Sequence, residues 1–186
     1  MGKRQLPDIL TDEEEFKLLA VFNRRYPTSH RNFTMILLAL NSGMRIGDLI
    51  KLQWSDIELD SGRCHIKRGK GEKDRVIFIK PMVLSEMVDQ AKRMNRDMSG
   101  LVFTTLKGDP VQDQYLRRMI AEKARKAGIT KRVHFHLLRH GYLSRLYGRT
   151  KDLRLVQEVA GHADISTTQI YTHISGADVK AAMLGE

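Results

Sequence analysis

The chain has 186 residues, 41% of them hydrophobic, which suits one folded domain with a true core and excludes wholesale disorder. Its 32 Lys and Arg against 22 Asp and Glu leave a net charge of +10, which points to a polyanionic partner, nucleic acid before any other. The single cysteine, Cys64, excludes an internal disulfide, and neither a secretory h-region at the start nor an apolar run of membrane-spanning length is read, so a cytoplasmic, nucleoid-associated protein without membrane contact is expected.

In chain order, residues 1–10 read as a linker, and 11–186 as one domain. Thr11 with Glu14 makes a capping box, and the acidic run 12–15 suits the first turn of a helix. Phe33, Ile36, Leu37 and Leu40 recur at helical spacing over 30–41, Gly43 interrupts, and 45–52 reads as a short amphipathic helix. From Trp54 the segments around Ile57, 63–67 and 75–79 are short and β-branched, with turns at 60–62 and 69–71 between them. They predict a three-stranded antiparallel sheet that Pro81 closes, with Cys64 a reduced, half-buried strand residue.

Helices are then expected over 83–95, 112–127 with Gly128 as the stop, 137–147, and 153–160 with Gly161 as the stop. Ser166 and Gln169 form a second capping box, opening a helix that carries Tyr171, and a short helix follows Gly176. No internal repeat, low-complexity run or second-domain linker is found. The fold class is mainly α with a small antiparallel sheet.

Several polar residues sit in suggestive places. Arg45 follows Asn41-Ser42-Gly43-Met44 at a helix start, where it reads equally as a solvated residue or a partner for Asp48. Lys70 lies in the hairpin Gly69-Lys70-Gly71-Glu72-Lys73-Asp74-Arg75, which Arg68, Lys73 and Arg75 also crowd. His136 and Arg139 share one face of a helix start. His162 follows Gly161, and Tyr171 stands before Thr172-His173. The spacing of His134, His136 and His140 could put two imidazoles on one helical face, with His162 as a third metal ligand, yet no carboxylate or second cysteine completes the set. Tyr142 and Tyr147 read as half-buried core residues with satisfied hydroxyls, and His173 as a packing or capping residue.

Taken together, these residues resemble the tyrosine recombinases of the phage integrase family. The resemblance rests on Ser42-Gly43-Met44-Arg45-Ile46-Gly47-Asp48-Leu49, the hairpin Gly69 to Arg75, His136-Leu137-Leu138-Arg139-His140, and the run from Gly161-His162 to Tyr171-Thr172-His173. It spans almost the whole chain, and the motifs stand in the family's order. Ala160 replaces a leucine often found there, and Gly141-Tyr142-Leu143-Ser144 also departs from the usual run.

The resemblance implies a DNA breaking and rejoining domain with catalytic groups Arg45, Lys70, His136, Arg139, His162 and Tyr171. Tyr171 is the implied nucleophile, forming a 3′-phosphotyrosine bond that a different 5′-hydroxyl can reverse. Arg45 and Arg139 would clamp the non-bridging oxygens, which planar guanidinium forks do well. Lys70 would protonate the departing 5′-oxygen, with Lys73 its rival. His136 would take the tyrosine proton or bond the phosphate, and His162 would add a phosphate contact. No cofactor or metal is expected.

Double-stranded DNA is the implied partner, bound by a tetramer of subunits that associate weakly or stay monomeric off DNA. Nothing in the chain corresponds to the family's N-terminal core-binding domain, so DNA affinity should be largely electrostatic. Residues 177–183 read either as an exchange helix anchored on a neighbouring subunit by Val179 and Met183 or as packing within their own subunit. A type IB topoisomerase-like relaxase and a non-catalytic DNA-binding module are the rival functions.

Overall fold

The computed structural model describes residues 9–67, 74–161 and 183–184. Helix α1 (Asp12–Ala20) starts on the expected capping box: the Thr11 N–H donates to Glu14 Oε2 at 2.8 Å, and the Glu14 N–H donates to Thr11 Oγ1 at 3.2 Å. Two ion pairs lash this start to the body. Lys131 Nζ donates to Glu14 and to the Ile9 carbonyl, and Arg145 Nη1 donates to Glu15.

Helix α2 (Pro27–Ser42) is the core helix, buried on nearly every side with Met35, Ile36, Leu38 and Ala39 inaccessible to solvent. It begins at Pro27, ahead of the expected start, because a proline at the first helical position loses no hydrogen bond. The same chemistry starts α4 (Pro81–Arg93) at the proline that was expected only to close the sheet. Helices α4 and α6 (Phe135–Thr150) both pack against α2. In the chain, α3 (Ile46–Lys51) and a 3₁₀ turn (Trp54–Asp56) precede α4, α5 (Asp113–Lys126) lies between α4 and α6, and α7 (Leu153–Ala160) follows α6. Gly128 and Gly161, with φ 72° and 58°, end α5 and α7 as read from the sequence.

Among the described residues the sheet has two strands rather than three. Strands β1 (Arg63–Ile66) and β2 (Arg75–Phe78) pair antiparallel, Cys64 opposite Ile77 and Ile66 opposite Arg75. The segment around Ile57 contributes a single bridge to Cys64. The 3₁₀ turn immediately before Ile57 and the tight turn after it, in which the Gly62 N–H donates to the Glu58 carbonyl at 2.8 Å, leave no length for a ladder. Cys64 is fully buried rather than half-buried, because β1 lies over the core.

Two aromatic expectations are also corrected. Tyr142 is buried, but its hydroxyl has no partner among the described residues, and Tyr147, 46% exposed, lies at the surface rather than in the core. Met183 lies in the core of its own chain, its sulfur accepting from the Phe78 N–H at 3.2 Å, so its packing is within its own subunit; Val179 lies outside the described residues. No helix among the described residues is long and apolar enough to cross a membrane.

Candidate active site

The site is assembled where the turn after α2, the first half of α6 and the end of α7 meet. Gly43 caps α2 with φ 64°, a left-handed turn that delivers Arg45 to the start of α3. A β-carbon at Gly43 would stand 2.6 Å from Tyr142 Cδ1, so only glycine lets α6 approach here. On α6, Arg139 is buried, and its Nη1 donates to the Gly43 carbonyl at 2.6 Å. Its Nη2 donates to the Ala160 carbonyl at 2.5 Å, and Arg45 Nη2 donates to the Gly161 carbonyl at 3.4 Å. The last carbonyls of a helix have no partner within it and carry the negative end of its dipole. The end of α7 therefore serves as the holder for two guanidinium groups drawn from distant parts of the sequence.

A carboxylate and a third guanidinium complete the cluster. Asp48 Oδ2 accepts the Arg45 backbone N–H at 3.1 Å, capping α3, and accepts Arg75 Nη2 at 2.7 Å. Three cations thus face one anion. The crowding is visible in Arg139, whose pKa falls to about 10 through burial first and then repulsion from Arg45 and Arg75, with Asp48 opposing. Among the described residues, Arg45 Nη1 and Arg75 Nε and Nη1 are buried donors without acceptors. Such donors cost about 1–3 kcal/mol each when unmet, so the arrangement is suited to an anion with several oxygens, as a phosphate diester has.

His136 stands exposed on the first turn of α6, one turn from Arg139. Partial burial, and then His140, Arg139, His134 and Arg45, hold its pKa below the ordinary value and favour the neutral ring. Its ring meets that of His140 edge-on, 4.7 Å between centroids. In the histidine cluster weighed above as a metal ligand set, His134 Nδ1 is occupied as the cap of α6, accepting the Leu137 N–H at 3.1 Å. The described residues that bring ligating atoms within 4.8 Å of one another are His30, Glu86 and Asp89. There His30 bonds Glu86 at 2.6 Å, and Arg24 and Arg93 already pair with the two carboxylates, so the group reads as a staple between α2 and α4.

Of the residues singled out in the sequence, Arg45, Arg139 and His136 come together. Lys70, with its rival Lys73 and neighbour Arg68, lies outside the described residues, as do His162, Tyr171, His173 and the Ser166–Gln169 capping box. Asp48 had been weighed only as a partner for the Arg45 side chain, and Arg75 only as one more hairpin cation. The overlooked signal is the alternation of β2: Arg75 is in phase with Ile77, on the face that turns inward.

A profile of the phage integrase family matches residues 8–177. The chain is 34% identical to the tyrosine recombinase XerD of Staphylococcus saprophyticus, over 95% of this chain and 61% of that protein. It is 41% identical to the XerD of Halalkalibacterium halodurans, over 92% of this chain and 59% of that protein. Its fold is similar to the crystal structure of XerA recombinase, with a TM-score of 0.76 and 26% identity over 97% of this chain and 64% of that one. It is similar as well to XerH site-specific recombinase bound to difH substrate before cleavage, with a TM-score of 0.71 and 29% identity over 86% of this chain and 48% of that one. The chain thus spans about three fifths of the length of the curated relatives it matches.

Proposed function

The chain belongs to the phage integrase family, and from that premise we propose that it is the catalytic domain of a site-specific DNA recombinase. Its partner is double-stranded DNA, and its reaction is a pair of transesterifications. The Tyr171 hydroxyl attacks the scissile phosphorus, the bond from phosphorus to the 5′-oxygen breaks, and the DNA is held as a 3′-phosphotyrosyl ester. Lys70 supplies the proton that the departing 5′-oxygen needs. A 5′-hydroxyl from another strand then attacks the ester, returning the phenol and resealing the backbone.

The observation that carries this reading is the convergence of Arg45 and Arg139 on the carbonyls of Ala160 and Gly161, directly before His162 in the sequence. Two guanidinium groups held there are poised for the two non-bridging oxygens of one phosphate. Each is expected to contribute about 3–4 kcal/mol to the barrier, by comparison with lost oxyanion donors. A neutral His136 beside them accepts the phenolic proton or bonds a phosphate oxygen, and His162 adds a further contact. Recombination of two duplexes calls for a tetramer on DNA, from subunits that associate weakly without it.

The test begins with DNA selected by this protein from a random pool. The selected duplex is nicked beside the cleavage site, so that the released fragment diffuses away and the ester accumulates. A denaturation-resistant adduct, together with joined products from two intact sites, is the expected outcome. Binding without an adduct would make the chain an accessory DNA-binding module. Adducts with relaxation of supercoils but no joining would make it a topoisomerase.

A further inference from the structure

Within the arginine cluster, Arg75 is the buried cation that the reaction as written does not use. Its side chain is 3% exposed, and it sits on β2 in phase with Ile77, facing α3. Its Nη2 and the backbone N–H of Arg45 share the same oxygen of Asp48, at 2.7 and 3.1 Å. Its Nε and Nη1 have no acceptor among the described residues. A buried guanidinium with two unmet donors is costly to keep in a fold, and an ion pair of this kind is weak evidence of a stabilising role.

We propose that Arg75 is a positioning residue of the cleavage site: it holds the Asp48 carboxylate away from the phosphate-binding arginines and so keeps Arg45 and Arg139 free for the scissile phosphate. Among the described residues, Asp48 is the carboxylate seen bonded within this arginine cluster, and its second oxygen has no bond to any of the three arginines. Without Arg75 it is an unpaired anion beside Arg45, and a guanidinium fork closes on a carboxylate as readily as on a phosphate. The cost of losing Arg75 is therefore an arginine captured by the wrong anion, with the local charge reduced from +2 to +1. The inference rests on the reading of this cleft as a DNA-cleaving site, and it adds a way in which the cleft keeps its arginines available.

The test is single-turnover adduct formation on the nicked duplex by the 186-residue chain, comparing native protein with Arg75→Met, Arg75→Lys, Asp48→Asn and the Arg75→Met/Asp48→Asn pair. Arg75→Met should cleave roughly 10²-fold more slowly, the order of one lost phosphate donor, while DNA affinity changes less than about threefold. Arg75→Lys keeps the charge and one bond to Asp48, and should stay within about tenfold of native. The pair should recover at least about tenfold over Arg75→Met, because neutralising residue 48 removes the competing anion.

A structural role alone predicts that the rate follows the folded fraction across the variants, so denaturant unfolding must show Arg75→Met fully folded under the conditions in which it cleaves slowly. A pair as slow as or slower than Arg75→Met, or a native rate for Arg75→Met in a protein that otherwise cleaves, overturns the inference. No adduct from the native protein overturns this inference and the cleavage reading together, so the two failures are told apart by the native lane.

Discussion

Arg139 Nη1 donates to the Gly43 carbonyl at 2.6 Å, joining the second turn of α6 to the turn that ends α2. The glycine is held in place by two separate demands, its left-handed φ of 64° and the ring of Tyr142 2.6 Å from where a β-carbon would stand. Stability and chemistry therefore meet at one residue that has no side chain.

Gly43→Ala should cost about 2–4 kcal/mol, combining the left-handed penalty for an L-residue with overpacking against Tyr142. Because the shifted carbonyl also releases Arg139, the cleavage rate should fall by more than stability alone accounts for. Denaturant unfolding together with adduct kinetics well below the melting temperature checks both halves.

Tyr142 and Tyr171 should separate cleanly. The Tyr142 hydroxyl is buried without a partner among the described residues, and burial pushes its pKa up. Removing an unmet buried hydroxyl relieves a penalty of about 1–3 kcal/mol while the ring keeps its packing. Tyr142→Phe should thus be at least as stable as native, by up to about 1 kcal/mol, and should form adducts at the native rate. Thermal melts and the nicked-duplex assay decide it.

How much of this was legible beforehand divides along a physical line. Helix ends were readable because caps are local: Thr11 with Glu14, Gly43, Gly128 and Gly161 each act within a few residues. The third strand was not, since the β-branched pattern around Ile57 says nothing of the 3₁₀ turn that cuts it short. Arg45, His136 and Arg139, which the structure brings together, stand out through the order of motifs, whereas Arg75 is defined by a strand phase and a partner on another element. His134 looked like a candidate ligand and is a helix cap, a role that depends on where α6 begins.

The pH profile should carry the mark of His136. Its folded pKa lies below the ordinary 6.5, so the neutral ring is favoured and persists below that pH. Its contribution to stability is accordingly full above about pH 6.5 and lost as pH falls through the folded value. The acid limb of kcat/KM, which reports the free enzyme, should have its midpoint below 6.5. In His136→Asn this limb should vanish along with ~10²–10⁴ of the rate. A limb centred above 6.5, or one unchanged in the variant, would assign it to another group.

Cys64 should be inert in the native state. It is fully buried in β1, and burial, with Asp56 adding to it, pushes its thiol up to about 12. At pH 8 that leaves a thiolate fraction of roughly 10⁻⁴. A thiol reagent should therefore react at the rate of unfolding and be insensitive to reagent concentration, which stopped-flow labelling across a concentration series will show.

The most direct test is to digest the trapped protein–DNA adduct with protease and sequence the peptide that bears the nucleotide. The expected peptide contains Tyr171, esterified to a 3′-phosphate opposite a free 5′-hydroxyl, and Tyr171→Phe should yield no adduct on the same duplex. A nucleotide on any other residue, a 5′-phosphate linkage, or an undiminished adduct from Tyr171→Phe would contradict the account.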